Sequence, residues 1–195
     1  GANNYKTAFN HYATNGVKEA RQGSPFFNVK YYLEHNQDIK SAFGAKNYVD
    51  AYKHYMSNGI KEARQGSQYF DVKYYSNTNP DIQRVFGKDY KEITNHYFIS
   101  GIVEGRNPSE NVNVKCYLNS NADLQSAFGK NYKEAINHYF TNGIKENRKL
   151  HTYTTKVITE ATCTTTGKKI HSCNLCNESN EEVIPAKGHS FGAWR

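Results

Sequence analysis

Methionine and tryptophan are almost missing from this chain of 195 residues, at one each, and long apolar runs are missing altogether. No stretch approaches the ~18 consecutive apolar residues that a membrane span requires. Only 37% of the residues are hydrophobic, which argues against one thick core. No nucleophile stands beside a base, no pair of carboxylates marks a reactive site, and no glycine-rich phosphate loop occurs. The chain is therefore not expected to be an enzyme. A concentration of one charge is lacking too. The net charge is +7, but lysines and acids are interspersed, and residues 151–195 hold 5 basic and 4 acidic side chains. A nucleic-acid binder gathers its basic residues on one face or in one run, so nucleic acid is not expected as a partner. The chain opens Gly1-Ala2-Asn3-Asn4 with neither methionine nor signal peptide. It reads as a piece of a longer protein, with Gly1-Ala2 as a scar of tag removal.

What is present is tyrosine and phenylalanine, 16 and 10 residues. A tyrosine has an apolar body and a polar tip, which suits thin modules whose core lies near the surface. These aromatics recur with a period. Phe27-Asn28-Val29-Lys30-Tyr31-Tyr32, Ala42-Phe43-Gly44, His54-Tyr55 and Gly59-Ile60-Lys61-Glu62-Ala63-Arg64 form one copy. Phe70-Asp71-Val72-Lys73-Tyr74-Tyr75, Val85-Phe86-Gly87, His96-Tyr97 and Gly101-Ile102-Val103-Glu104-Gly105-Arg106 form the next. The third holds Val112-Asn113-Val114-Lys115-Cys116-Tyr117, Ala127-Phe128-Gly129, His138-Tyr139 and Gly143-Ile144-Lys145-Glu146-Asn147-Arg148. The chain opens on a truncated copy that keeps Tyr5, Phe9, His11, Tyr12, Gly16, Glu19 and Arg21. A fixed period of this length marks a repeat architecture. The divisions are 1–24 (the last helix of a truncated repeat, packing on the next), 25–67, 68–109 and 110–150, followed by a different module at 151–195.

Each copy reads as three short helices. Asn28, Asp71 and Asn113 are expected N-caps of the first. Asn79-Pro80-Asp81 marks the start of the second, with proline at its first position and a carboxylate near its positive end. Gly44, Gly87 and Gly129 are expected to stop it. The third carries Tyr48, Ala51, Tyr52, Tyr55 and Met56 on one face and is expected to end at Gly59, Gly101 and Gly143. One copy is too small to bury a sufficient core alone, so neighbours must complete it, as in helical solenoids. Because the chain opens on a third helix, the folding unit is expected to straddle the repeats. His11, His54, His96 and His138 are read as histidines hydrogen-bonded between helices, since no second ligand recurs beside them. The pairs Glu62/Arg64, Glu104/Arg106 and Glu146/Arg148 are expected to bridge adjacent copies or to cap helix ends.

Past residue 151 the composition turns to β-branched residues. Residues 153–159, 168–172 and 182–184 read as strands, with turns at 166–167 and 177–180. Cys163-x9-Cys173-x2-Cys176 is followed by x12 and His189. Cys173-Asn174-Leu175-Cys176 resembles a zinc knuckle, and Cys163 with His189 would complete a tetrahedral site of three thiolates and one imidazole. His171 is a weaker candidate for the fourth ligand. A structural zinc is expected because so small a module has little core; a disulfide or free thiols are the alternatives. Cys116 stands where the other copies have Tyr31 and Tyr74 and reads as a small core hydrophobe. The fold class is thus mainly α, tandem three-helix repeats forming small bundles, followed by a small β-rich, zinc-ribbon-like module.

The pattern Phe-Asp-x-x-Tyr-Tyr, Asn-Pro-Asp-Ile, Phe-Gly, His-Tyr and Gly-Ile-x-Glu-Gly-Arg resembles helical repeats in large secreted or wall-attached proteins of Gram-positive gut bacteria. The run from Ala161-Thr162-Cys163 through Cys173 and Cys176 to Ile184-Pro185-Ala186, Gly188 and His189 resembles a module of the same proteins. One group with this look is the immunoglobulin-binding, superantigen-like proteins of gut commensals. What the resemblance implies is an extracellular, non-catalytic binder of immunoglobulin heavy-chain variable domains, within Fab fragments. Two alternatives use the same surface differently. One is a glycan or cell-wall binder stacking sugars on tyrosines and Trp194, and the other is a passive stalk.

Overall fold

A computed structural model of the chain describes residues 7, 8, 10–176 and 178–189. Sequence readings that fall on Gly1, Ala2, Tyr5, Phe9, Asn177 and Trp194 lie outside that set. The protein is mainly helical, with a small three-stranded antiparallel sheet after the helices. Among the described residues no helix is long and apolar enough to cross a membrane.

The helices are short, and each begins where a side chain can satisfy its free amides. Helices α1 (Val29–His35), α2 (Gln37–Phe43) and α3 (Tyr48–His54) are followed by α4 (Val72–Thr78), α5 (Pro80–Phe86) and α6 (Tyr90–His96), then by α7 (Val114–Asn119), α8 (Ala122–Phe128) and α9 (Tyr132–His138). Asn28 accepts from the amides of Lys30 and Tyr31, Asp71 from those of Lys73 and Tyr74, and Asn113 from that of Cys116, as expected of N-caps. Pro80 stands at the first turn of α5. Asn79 does not cap it by side chain; it donates instead to the Tyr75 carbonyl at 2.7 Å and accepts from Arg106 at 2.8 Å. The stops at Gly44, Gly87 and Gly129 have positive φ, with ψ far from the left-handed helix, a region open to glycine.

The ends of the third helices differ from the expectation. After His54, His96 and His138 the backbone widens into a π turn that runs to Gly59, Gly101 and Gly143, and Tyr12–Gly16 repeats it. The extra residue in the turn rotates Met56 off the apolar face, so it stands exposed while Ala51 and Tyr55 are buried. The glycines do not stop the helix. The Arg64 amide donates to the Gly59 carbonyl and that of Ala63 to Ile60, with Ala63 at φ 53. This is a Schellman ending four residues further on. Ala20, Gly105 and Asn147 hold the same left-handed place.

The glycines answer a different need. Tyr32, Tyr75 and Tyr117 are fully buried, and their hydroxyls lie 2.9 Å from Nδ1 of His54, His96 and His138. A Cβ at Gly59, Gly101 or Gly143 would collide with those hydroxyls. Burial pushes the three phenols up to about 12, so they stay neutral. These bonds join the first and third helix of the same segment, so the packing runs in step with the sequence period and not astride it. The opening segment rests on α3, where the rings of Tyr12 and Tyr52 meet edge to face at 6.3 Å.

Arginines tie the segment ends. Arg64 donates to both carboxylate oxygens of Asp38, to Asn36 and to Glu62. Arg106 does the same with Asp81, Asn79 and Glu104, and Arg148 pairs with Asp123 and Glu146. The Glu-x-Arg pair therefore closes a segment on itself and does not bridge two. Segments meet through loops. The Asn28 amide donates to the Gly66 carbonyl and that of Asp71 to the Pro108 carbonyl. Phe26 edges onto Phe70, Tyr97, Phe98 and Phe140.

Strands β1 (Tyr153–Thr159), β2 (Gly167–Cys173) and β3 (Ser179–Ile184) form an antiparallel meander in that order. β3 begins earlier than the sequence suggested, because the turn is the tight Asn174–Cys176 loop and residues 179 and 180 already pair with 172 and 171. β1 is exposed along its length. The sheet supplies little core of its own.

Two outcomes follow from these ties. Gly101→Ala forces Tyr75 off His96 and is expected to lower stability by about 1–3 kcal/mol, read as a lower urea midpoint; an unchanged midpoint would mean that Tyr75 has room. The hydrogen bonds from Arg106 hold the Asp81 carboxyl down to about 2. Its folded value lies below its unfolded one, so the pair's contribution is present above about pH 4 and is lost as pH falls toward 2. Asp81→Asn should flatten the stability profile across that interval, and an unaltered slope would remove the pair as its source.

Candidate metal centre

Four side chains from three parts of the chain converge where the sheet meets the helices. The ligand atoms of Cys116, His151, Cys173 and Cys176 all lie within 4.8 Å of one another. Cys116 sits in the first turn of α7, its amide held by the Asn113 cap at 3.0 Å. Cys173 ends β2, and its amide donates to the Glu178 carbonyl at 2.8 Å. That bond folds the Asn174–Cys176 turn so that Cys176 faces the same point as Cys173. His151 lies in the segment between α9 and β1. The Asn121 side chain donates to the Lys149 carbonyl at 2.8 Å, and the Thr152 hydroxyl donates to Ser120 at 3.0 Å. Both tie that segment to the end of α7.

The spacing fits one tetrahedral ion. Thiolates bound at the usual zinc–sulfur distance sit about 3.8 Å apart, and a thiolate and an imidazole nitrogen about 3.5 Å. Here Cys116 Sγ lies 3.9 Å from Cys173 Sγ, and Cys176 Sγ lies 3.3 Å from His151 Nδ1. The other imidazole nitrogen, Nε2, is 2.9 Å from a Glu178 carboxylate oxygen, and the Tyr153 hydroxyl donates to the second oxygen of that carboxylate at 3.1 Å. A carboxylate behind a ligating histidine fixes its ring and raises its basicity. Four protein donors fill a tetrahedron and leave no open position, which is the form of a structural site and not of a catalytic one.

The electrostatics point the same way. Burial pushes the Cys116 thiol up, and Cys176 is raised for the same reason. Cys173 is pulled down to about 6; burial opposes this, but the Leu175 amide, His151 and the two neighbouring thiols outweigh it. The pocket alone favours one thiolate. Three thiolates this close repel one another, and a dication is what makes them compatible.

The sequence anticipated half of this set. Cys173 and Cys176 are in it. Cys163 and His189 are not part of the cluster, and both are exposed. The tail runs back over the loop before β2, where the Gly188 amide donates to the Cys163 carbonyl at 3.0 Å. Cys163 precedes β2 whereas Cys173 closes it, and a seven-residue strand sets its ends about 20 Å apart. His171 is engaged on the sheet by Thr155 and Glu182. Cys116 and His151 went unrecognised. The available signal was that a cysteine replaces tyrosine only in the copy that precedes the strand module, with a histidine opening that module.

Comparison with protein-family models, with curated proteins and with solved structures finds no match for this chain.

Burial predicts the order of thiol reactivity. Under native conditions iodoacetamide should modify the exposed Cys163 first and leave the buried Cys116 and Cys173 unmodified. Peptide mass mapping reads the result, and labelling of Cys116 as fast as Cys163 would contradict the placement of α7 against the sheet.

Proposed function

We propose that the chain is a non-catalytic binding array from a secreted or wall-attached protein. In this reading it consists of tandem three-helix repeats ended by the strand module, and it docks an immunoglobulin heavy-chain variable domain on its helical surface. The observation that carries a docking role is an apolar patch confined to the middle repeat. Phe98, Ile99 and Val103 stand exposed there, Ile99 at 74%. The equivalent positions hold Met56, Ser57 and Lys61 in the first repeat and Phe140, Thr141 and Lys145 in the third. Large apolar side chains left in water mark a contact surface more often than a structural need. The recurrent polar residues are occupied elsewhere: His54, His96 and His138 hold tyrosines, and Arg64, Arg106 and Arg148 hold carboxylates. The choice of an immunoglobulin partner rests on the resemblance of the repeat pattern. The unique patch supplies the stoichiometry, one partner per chain.

A panel of Fab fragments that share a heavy-chain framework and differ in antigen tests this. Binding should follow the framework, at one Fab per chain. The double substitution Ile99→Asp with Val103→Asp should weaken it at least tenfold, about 1.4 kcal/mol, because hot spots cluster in such apolar centres. No binding to any Fab at micromolar concentration would sink the immunoglobulin reading. Undiminished binding by the double variant would move the contact off this patch.

A further inference from the structure

We propose that Cys116, His151, Cys173 and Cys176 hold one zinc ion, and that this ion bolts the strand module onto α7 as the end cap of the helical array. The inference is independent of the identity of the docked partner.

The argument begins from the position that Cys116 occupies. In the first segment the same position is Tyr31, and its ring lies beside Asp71 and a groove lined by Ser67, Gln68 and Tyr69. In the second it is Tyr74, which hydrogen-bonds Asn107 and lies near Glu110. Each tyrosine thus leans on the loop that opens the following segment. The third segment is followed by the strand module and not by another segment. There the tyrosine is replaced by a cysteine, and the place of the following loop is taken by His151 and the Cys173–Cys176 turn.

A tyrosine could not do this work at the end of the array. It packs against a loop that another helical segment holds in place. The strand module has little apolar surface to offer: β1 is exposed throughout, and β3 is exposed except at Ile184. Among the described residues of the module, Ala161 and Cys173 are the buried apolar ones. Exchanging one tyrosine for a thiol loses apolar contact but supplies a bond to an ion that the module also grips. A small module gains most of its stability from such a staple. Terminal units of a repeat array must shield the last apolar face, and this one does so through coordination.

The donor set selects the ion. Three thiolates and one imidazole are soft ligands, and with tetrahedral spacing they suit zinc above oxygen-seeking cations such as magnesium or calcium. The Glu178 carboxylate behind His151 Nε2 completes the outer support that zinc-bound histidines carry. Because the ligands come from the helical array, the connecting segment and the sheet, the ion crosses a module boundary. This distinguishes it from a site closed within residues 151–195, which Cys163 and His189 would have made.

The test uses the full chain, purified without chelator, with zinc measured by elemental mass spectrometry. One zinc per chain is expected. Cys116→Tyr, which installs the residue of the other segments, should abolish it, whereas Cys163→Ser and His189→Ala should each retain one zinc per chain. Glu178→Gln leaves the ligands in place and guards against loss by misfolding; it should weaken zinc affinity roughly 10- to 100-fold, as read by competition with a chromogenic chelator. Removing zinc from the native chain should speed proteolysis in the connecting segment, residues 149–153, while the helical circular dichroism persists. Zinc retained by Cys116→Tyr but lost in Cys163→Ser or His189→Ala would overturn the proposal. So would a metal-free chain with Cys116 in a disulfide. Unchanged proteolysis after zinc removal would overturn the capping role.

Discussion

Everything helical in this protein depends on a tyrosine hydroxyl that reaches across a segment and stops against a glycine. A helix of seven residues is too short to persist alone in water, so packing must hold it. Tyr32, Tyr75 and Tyr117 each give a fully buried ring to that packing, and a buried hydroxyl needs a partner. Nδ1 of His54, His96 or His138 is that partner. The distance across the segment leaves no room for a Cβ at Gly59, Gly101 or Gly143. One requirement therefore fixes three residue types at once, and their joint recurrence is the period seen in the sequence. The π turn belongs to the same solution, since it carries the backbone from the histidine to the glycine with the spacing the tyrosine demands.

The termini of these helices are handled by a second set of residues. Asn28, Asp71 and Asn113 close one end. Arg64 and Arg106 close the other by reaching Asp38 and Asp81 with two parallel hydrogen bonds each. Such forked pairs fix geometry as well as charge. They lie partly in water and add modestly to stability. Their service is orientation: the second helix of a segment cannot rotate without parting from the arginine that follows the third.

Much of this was legible in the residues. The caps at Asn28 and Asp71, the glycine stops after α2, α5 and α8, and the helix-bridging role of the histidines come from local chemistry that the neighbours in sequence declare. What was hidden depends on distance in space. Gly59 looked like a helix stop because glycine often is one, and only the fold shows the tyrosine that forbids a side chain there. The Glu-x-Arg pairs looked like links between copies because their partners, Asp38 and Asp81, lie about 25 residues earlier. The metal centre was half legible for the same reason. Cys173 and Cys176 are adjacent in sequence and declare each other. Cys116 lies 57 residues from Cys173, inside a copy whose pattern explains it well enough as a core residue.

The bridging of α7 to the sheet by Cys116 and His151 also constrains how such a protein can change in length. Whole helical copies can be gained or lost by recombination ahead of the copy that carries Cys116, because loops join neighbours there through backbone hydrogen bonds that any copy can make. An insertion between residues 116 and 151 would part the two ligands and leave the strand module without its anchor. The cysteine-bearing copy is thus committed to the final place in the array, and growth has one permitted direction.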